Sequence, residues 1–332
     1  MIVREGAVEI ETILAFEKGP GRISPGFYNR TMEVSRDLTV ALLKTQKPGI
    51  ALDSMAGTGI RGLRIAKETE WKVVLNDRDS RNTEIQKNNA RLNSVDLEIE
   101  RSDYFCAVSS RKWDYIDVDP FGTASGLVEA AIMNLKNDGI VGVTMTDTAN
   151  LEGKSLDKGK RIYGSRSMKG TYSREISTRI FLSYVMSRGA SLGRAGRPLL
   201  VLRDGHFIRV FVRFKKGNKV ADDSLKSLQM VSVEGENVGP LYTGKLYDPL
   251  VLKGMENFPF SESSKKLFSN FGNEDLMFLF YGNSNDIHEV KKTRIVDELK
   301  KRGYEAGSTN FNEKGIKSNT DSEEYRKILN AL

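Results

Sequence analysis

The sequence predicts an α/β fold: a doubly wound, mostly parallel sheet that finishes in an antiparallel hairpin and is followed by a smaller α+β unit. Three observations carry this. Short apolar strands alternate with helical segments from residue 49 to 147. A glycine-rich turn joins the first of these strands to its helix. The run "PLLVLRDGHFIRVFVRF" (198–214) then reads as two β-rich segments around Asp204-Gly205, a tight-hairpin signal.

Residues 1–47 precede the sheet as an N-terminal extension, in which "MEVSRDLTVALLK" (32–44) sets Val34, Leu38, Ala41 and Leu42 near one helical face. "GIALD" (49–53) is the first strand, and a helix follows the glycine turn to about residue 68. "KVVLND" (72–77) is the second strand, "RNTEIQKNNARLN" (81–93) an amphipathic helix, "LEIER" (97–101) the third strand and "WDYIDVD" (113–119) the fourth. "ASGLVEAAIMNLKND" (124–138) predicts a helix stopped by Gly139, with the fifth strand over 139–147. A further helix covers roughly 173–190. The polar stretch "KKGNKVADDS" (215–224) reads as a linker, which divides the chain into residues 1–216 and 217–332.

Composition narrows the classes. Hydrophobic residues make up 39% and charged residues 29%, ordinary for a globular protein. No apolar run approaches the ~18 residues of a membrane span. The opening "MIVREGAVEIETI" carries Glu5, Glu9 and Glu11 with no apolar export core, so no membrane partner and a cytoplasmic location are expected. One cysteine, Cys106, excludes an internal disulfide and a cysteine-rich zinc site; with only two histidines, no metal is expected. The net charge is +7, and residues 151–197 hold eleven Lys or Arg against three Asp or Glu, enough to account for the whole excess. That segment also carries Tyr163, Tyr172 and glycines, which suits nucleic acid; a solvated surface is the plainer alternative.

The chemistry sits at the strand ends. "LDSMAGTGIRG" contains Gly57-x-Gly59-x-x-Gly62 between a strand and a helix, where glycines admit a ligand close to the backbone. Asp77, ending the second strand, is the acid expected on ribose hydroxyls. Asp53, four residues before Gly57, places a carboxylate where a cationic group would sit, and Asp103, after the third strand, is suited to accept from an adenine amine. Capping or turn formation is the alternative for both. Together the three acids outline a pocket for S-adenosyl-L-methionine rather than for a dinucleotide, and a parallel sheet closed by an antiparallel hairpin is the methyltransferase version of this fold.

"DYIDVDPFGTA" (114–124) ends the fourth strand beside that pocket. In Asp119-Pro120-Phe121-Gly122 the carboxylate can accept the hydrogens of an exocyclic amine, stabilise its developing positive charge and take a proton. Pro120 shapes the turn and has no N–H to compete, while Phe121 offers a stacking face. Asp114 and Asp117 read as structural. A strand-ending turn with a capping Asp and a core Phe is the alternative. Upstream, Phe27 is either a lid aromatic or a core anchor, and Arg36 is a candidate bidentate partner for a cofactor carboxylate.

These residues resemble the tRNA (guanine-N2)-dimethyltransferase family in its archaeal form. The resemblance covers nearly the whole chain and rests on "EGAVEI", "FYNRTMEVSRDLTV", "LDSMAGTGIRGLR", "NDRD", "DVDPFGTA", "TDTANL", "YGSR", "RVFVRF" and "GPLYTGKLYDPLVL". It implies a Rossmann-like class I S-adenosylmethionine-dependent fold, a C-terminal tRNA-binding domain, and methylation, once or twice, of the exocyclic amine of guanine 26 in tRNA. By the same resemblance Arg36, Arg61, Asp77 and Asp103 would bind the cofactor, Tyr104 would line the adenine pocket, Asp119 would be the acid-base residue, and Phe27 and Phe121 would hold the guanine. Many members carry cysteines, several binding zinc, where this chain reads "NLEGKSLDKGKRIYG" and "SVEGENVGPLY". The usual proline after "FYN" is Arg30 here. Two other readings stay open: an amino-methyltransferase acting on another RNA position, DNA or protein, and an RNA-binding protein with a dead fold. The sequence assigns no oligomeric state.

Overall fold

Two small strand pairs lead the chain: β1 (Ile2–Glu5) runs antiparallel to β2 (Val8–Glu11), and β3 (Leu14–Phe16) runs parallel to β4 (Phe27–Asn29). The computed structural model describes residues 1–12, 14–16, 25–205, 207–271, 280–283, 290–312 and 315–332. Helix α1 (Glu33–Lys44) follows and is buried along most of its length.

The alternation legible in the sequence then builds one sheet. Its elements are β5 (Ile50–Asp53), α2 (Ile60–Glu68), β6 (Lys72–Asn76), α3 (Ser80–Leu92), β7 (Glu98–Glu100), α4 (Tyr104–Ser109), β8 (Trp113–Val118), α5 (Val128–Asn134) and β9 (Leu135–Met145). A single π-turn (Asn150–Lys154), α6 (Leu156–Tyr163) and α7 (Ser173–Ser191) lead to β10 (Arg194–Asp204) and β11 (Phe207–Lys216). The strand order is β10-β11-β9-β8-β5-β6-β7, with β5 to β9 parallel and β11 inserted antiparallel between β9 and β10. The expected hairpin therefore forms, and its second strand is the inserted one. All five parallel strands deliver their C-terminal ends to one edge, the crevice where open α/β sheets bind ligands.

The strand faces partition the core. Ile116 and Val118 of β8, with Val141 and Val143 of β9, face α4, α5 and α7. Tyr115 of β8 faces the other layer, with Leu38 of α1, Leu63 of α2 and Phe211 of β11. Beyond the sheet lie α8 (Asn218–Leu225), the hairpin β12 (Leu228–Val233) and β13 (Glu236–Tyr242), α9 (Pro249–Met255) and α10 (Glu262–Phe268). The chain ends with β14 (Phe280–Asn283), α11 (Lys292–Lys301), β15 (Ala306–Ser308), β16 (Gly315–Ser318) and α12 (Ser322–Asn330). Val233, Val238 and Leu241 of the hairpin join the α7 layer, while Ile295, Leu299, Ile316 and Ile328 make a separate small core. Among the described residues no helix is long and apolar enough to cross a membrane.

Two local expectations are corrected. The helix expected over 124–138 is helical only over Val128–Asn134, and the strand begins at Leu135. Leu135 pairs with Trp113, and Asp138 takes a positive φ of 61°, so the Asn-Asp-Gly signal serves a bulge within the strand. A Cβ on Gly139 would lie 3.2 Å from the Trp113 carbonyl, which explains the glycine without a helix stop. The "linker" 215–224 is largely helix α8, held by buried Ala221 and by Gly217 N–H donating to the Gly193 carbonyl at 2.9 Å. Its charged residues face solvent, and packing supplies the helix that composition obscures.

Candidate active site

The loop after β5 is built as a cradle. Gly57 has φ +54° and nothing within 4 Å of the position a Cβ would occupy, so its side-chain face is open. Gly62 is the opposite case: a Cβ there would lie 2.2 Å from Leu75 Cδ2, and its absence lets α2 seat against β6. Asp77 braces the loop: Oδ2 accepts from Gly57 N–H at 3.0 Å and from Asn82 Nδ2 at 3.1 Å, and Oδ1 accepts from Asp79 N–H. The carboxylate stays half-exposed at the end of β6.

Asp53 is buried, and its Oδ2 accepts from Gly62 N–H at 3.1 Å. Burial, and then the negative charge of Asp117, push its carboxyl up to about 7, against the opposing pull of Arg61. Asp103 caps α4 through Phe105 N–H at 2.8 Å and remains exposed. The capping geometry that was its alternative reading is thus present, with one oxygen committed to it. Tyr104 is buried, its hydroxyl donating to the Leu127 carbonyl at 2.7 Å. Beside it stands Phe105, half-exposed at 5.2 Å between ring centroids. The sequence reading passed over Phe105; its only signal was an aromatic residue two places after Asp103.

The Asp119 turn is fastened to the neighbouring strand end. Gly122 N–H donates to Thr146 Oγ1 at 3.0 Å, and Thr146 N–H returns a bond to the Gly122 carbonyl at 3.0 Å. Thr123 Oγ1 meets the Tyr163 hydroxyl at 3.1 Å, which ties α6 to the turn. Asp119 Oδ2 accepts a short ion-pair hydrogen bond from Arg61 Nη2, while Oδ1 accepts none from the described residues. Arg61, expected at the cofactor, is buried against this acid; its Nη1 donates to Thr39 Oγ1 at 3.0 Å and Ser35 Oγ at 3.3 Å, and its Nε lies 3.3 Å from Asp117. Of the other two carboxylates in this stretch, Asp114 is structural, accepting from Ile50 N–H and Lys136 Nζ. Asp117 is fully buried among Arg209, Arg61 and the Tyr115 hydroxyl. Burial opposes its ionisation, but the two arginines outweigh that and hold its carboxyl below the usual range.

The aromatic pair comes together across elements. Phe27 of β4 meets Phe121 edge-to-face at 5.6 Å between centroids, and Phe121 is 63% exposed. Phe27 is flanked by anchors: the Tyr28 hydroxyl donates to Glu5 at 2.9 Å, and the Asn29 carbonyl accepts from Arg36 Nη2 at 3.1 Å. Arg36, a candidate for the cofactor carboxylate, makes a bidentate pair with Glu5, with Nε to Oε1 at 2.7 Å. Glu5 also pairs with Arg64 at 2.9 Å. Burial would raise its pKa, but Arg36 and Arg64 overcome this and bring it down to about 2. No sequence signal marked Glu5, Arg64 or Arg209 individually, because their partners lie up to 170 residues away.

The donor set decides which cofactor this crevice fits. Asp53, Asp77, Asp103 and Asp119 stand at the strand ends, and the nearby cation Arg61 is already paired. A pyrophosphate would meet carboxylates there; a cofactor with a sulfonium and an ammonium brings two positive groups to the acids against its single carboxylate. Among the described residues no group of His, Cys, Asp and Glu is arranged to hold a metal. Fold and crevice together define a Rossmann-like, class I S-adenosylmethionine-dependent methyltransferase. Comparison with known proteins resolves the class further. The family model for N2,N2-dimethylguanosine tRNA methyltransferase matches residues 9–235. A tRNA (guanine(26)-N(2))-dimethyltransferase of Thermoplasma volcanium is 33% identical over 100% of this chain and 99% of its own, and one of Thermoplasma acidophilum is 30% identical over 99% and 97%. The solved structure of Trm1 from Pyrococcus horikoshii with S-adenosyl-L-methionine matches with a TM-score of 0.86 at 28% identity, covering 99% of both chains. The chain belongs to the N2,N2-dimethylguanosine tRNA methyltransferase family.

Proposed function

We propose that this enzyme methylates the exocyclic N2 amine of guanine 26 in tRNA, with Asp119 accepting the amine hydrogens and Phe27 and Phe121 holding the base. One observation carries the assignment: a carboxylate with one oxygen clamped and the other open stands in a turn whose next side chain but one, Phe121, reaches across to Phe27. Bound S-adenosylmethionine supplies an electrophilic methyl group. Asp53 and Asp77 would face its charged and ribose ends, and Asp103 with Tyr104 its adenine.

The guanine amine is a poor nucleophile because its lone pair is delocalised into the ring. Asp119 Oδ1 accepts an N2–H hydrogen, localises that pair and stabilises the positive charge that grows on nitrogen. It then takes the proton. Pro120 adds no competing donor. A stacked base replaces the edge contact between the two phenylalanines, and stacking is worth roughly 1–3 kcal/mol. Arg36, through Glu5 and the strand flanking Phe27, holds the upstream wall of this base site.

The target base must leave its stack, at a cost of a few kcal/mol. Lys154, Lys160, Arg161 and Lys169 are exposed without a charge partner among the described residues, on and around α6, the helix tied to the catalytic turn through Tyr163. We assign this face, with residues 217–332, to the RNA backbone, whose phosphate contacts offset that cost. Incubating unmodified tRNA transcript with labelled S-adenosylmethionine and analysing the nucleosides tests the reading. Label in N2-methyl- or N2,N2-dimethylguanosine from position 26 is expected, and label confined to any other atom overturns it.

A further inference from the structure

The buried arginine on β11 has no role in the scheme above, although only Asp117 and Arg61 separate it from Asp119. Arg209 is fully buried and reaches β8 from β11 by crossing β9. Gly142 makes the crossing possible: a Cβ there would lie 2.7 Å from Arg209 Nη2 and 2.4 Å from the Tyr115 hydroxyl. On the far side Arg209 Nη1 donates to Asp117 Oδ1 at 3.2 Å and to Thr144 Oγ1 at 2.9 Å, and Nη2 makes a short bond to Asp117 Oδ2. Asp117 in turn faces Arg61 Nε at 3.3 Å, and Arg61 Nη2 holds Asp119. Charge therefore alternates along Arg209, Asp117, Arg61 and Asp119, from the core to the crevice.

We infer that Arg209 is a positioning residue for methyl transfer: by occupying both oxygens of Asp117, it keeps Arg61 divided between two carboxylates. The division matters. A guanidinium is a rigid fork that would otherwise close on one carboxylate with two parallel bonds. Closed on Asp117, Arg61 would release Asp119. Closed on Asp119, it would take the oxygen the amine needs. Thr39 marks the balance point, its Oγ1 accepting from Arg61 Nη1 at 3.0 Å and from Arg209 Nη2 at 3.2 Å. Stability alone does not account for the arrangement, because buried ion pairs are often replaceable by apolar residues without loss, and Arg209 Nε is buried with no hydrogen-bond partner among the described residues.

The inference rests on the role given to Asp119, and its test is separable from that role. Arg209→Met, Arg209→Lys and Thr39→Val are compared with wild type for kcat and tRNA KM, scored as total methyl transferred, and for S-adenosylmethionine Kd and melting temperature. Displacing a reacting group by about an ångström costs on the order of 100-fold. Arg209→Met should lower kcat about 10- to 100-fold with KM and Kd within about threefold. Arg209→Lys should recover part of that loss, and Thr39→Val should lower kcat severalfold. Thr39→Val is nearly isosteric and decides the matter if Arg209→Met does not fold. Unchanged kcat in Thr39→Val, or a loss in Arg209→Met that only follows lost cofactor binding, overturns the inference. Label on another atom in wild type overturns the proposed function instead, while the kcat ratios still judge Arg209.

Discussion

Replacing Asp119 by Asn isolates the chemistry from the fold. The substitution keeps size and shape but leaves an amide that cannot take a proton. Arg61 is not orphaned, because it retains Asp117 at 3.3 Å, Thr39 at 3.0 Å and Ser35 at 3.3 Å. The structural cost is one charge-assisted hydrogen bond, about 1–2 kcal/mol once the 23% exposure of the Asp119 side chain is allowed for. In a chain of this length that lowers the melting temperature by a few degrees. Loss of a positioned base costs about 10²- to 10⁴-fold in rate, or roughly 3–5 kcal/mol of barrier. Single-turnover transfer from labelled S-adenosylmethionine to tRNA transcript should therefore slow by at least 100-fold, while calorimetric cofactor affinity stays within about threefold. A rate within fivefold of wild type would refute the assignment of Asp119. A loss of cofactor binding that accounts for the whole rate defect would move Asp119 to the cofactor site instead.

The remaining predictions probe the surrounding parts. Phe121→Ala should reduce kcat/KM for tRNA about 5- to 150-fold, matching 1–3 kcal/mol of stacking, with cofactor Kd unchanged; an unchanged kcat/KM removes Phe121 from the base site. Glu5 ionises at about 2 in the folded protein, below the ordinary value of 4.5. Its contribution, about 3 kcal/mol as an upper figure, is present above pH 4.5 and lost as pH falls toward 2. Denaturant titrations should thus show a Glu5→Gln deficit at pH 7 that shrinks at pH 3.5; a pH-independent deficit contradicts the ion cluster. Asp53, raised to about 7, is partly protonated in the free enzyme, so cofactor affinity should strengthen as pH rises from 6 to 8. Asp53→Asn should flatten that profile in calorimetry, and a wild-type profile that is already flat would contradict it. Changing Lys154, Lys160 and Arg161 together to Gln should lower the slope of log K against log salt by up to about 3 in filter binding, one per lost phosphate contact. The same change at Lys72, Lys215 and Lys216, exposed where β6 begins and β11 ends, at the sheet edge away from the crevice, is the control and should leave the slope alone.

Much of this enzyme is readable along the chain because its signals are local. Strand–turn–helix alternation, the Gly57-x-Gly59-x-x-Gly62 loop, the acids closing successive strands and the Asp119-Pro120-Phe121-Gly122 turn each lie within a few residues. Parallel topology then carries all of them to one edge, whatever the packing details. Local signals failed where tertiary pairing competes with them. Asn137-Asp138-Gly139 has the form of a helix stop, yet pairing of Leu135 with Trp113 draws the segment into β9. The polar run before residue 225 becomes α8 because one buried alanine and a backbone bond at Gly193 suffice.

Buried charge was the least legible part. Arg36 and Arg61 carry the same side chain within one motif-rich region, and nothing in their spacing says which carboxylate each will meet. Folding decides that Glu5 takes Arg36, that Asp119 takes Arg61, and that Arg209 reaches Asp117 through the gap left by Gly142. Short-range pattern along the chain is enough for the fold, the cofactor class and the candidate acid Asp119. How Asp119 is held depends on folding, because a charge in a low-dielectric interior is governed by its nearest opposite charge, and that neighbour comes from anywhere in the chain.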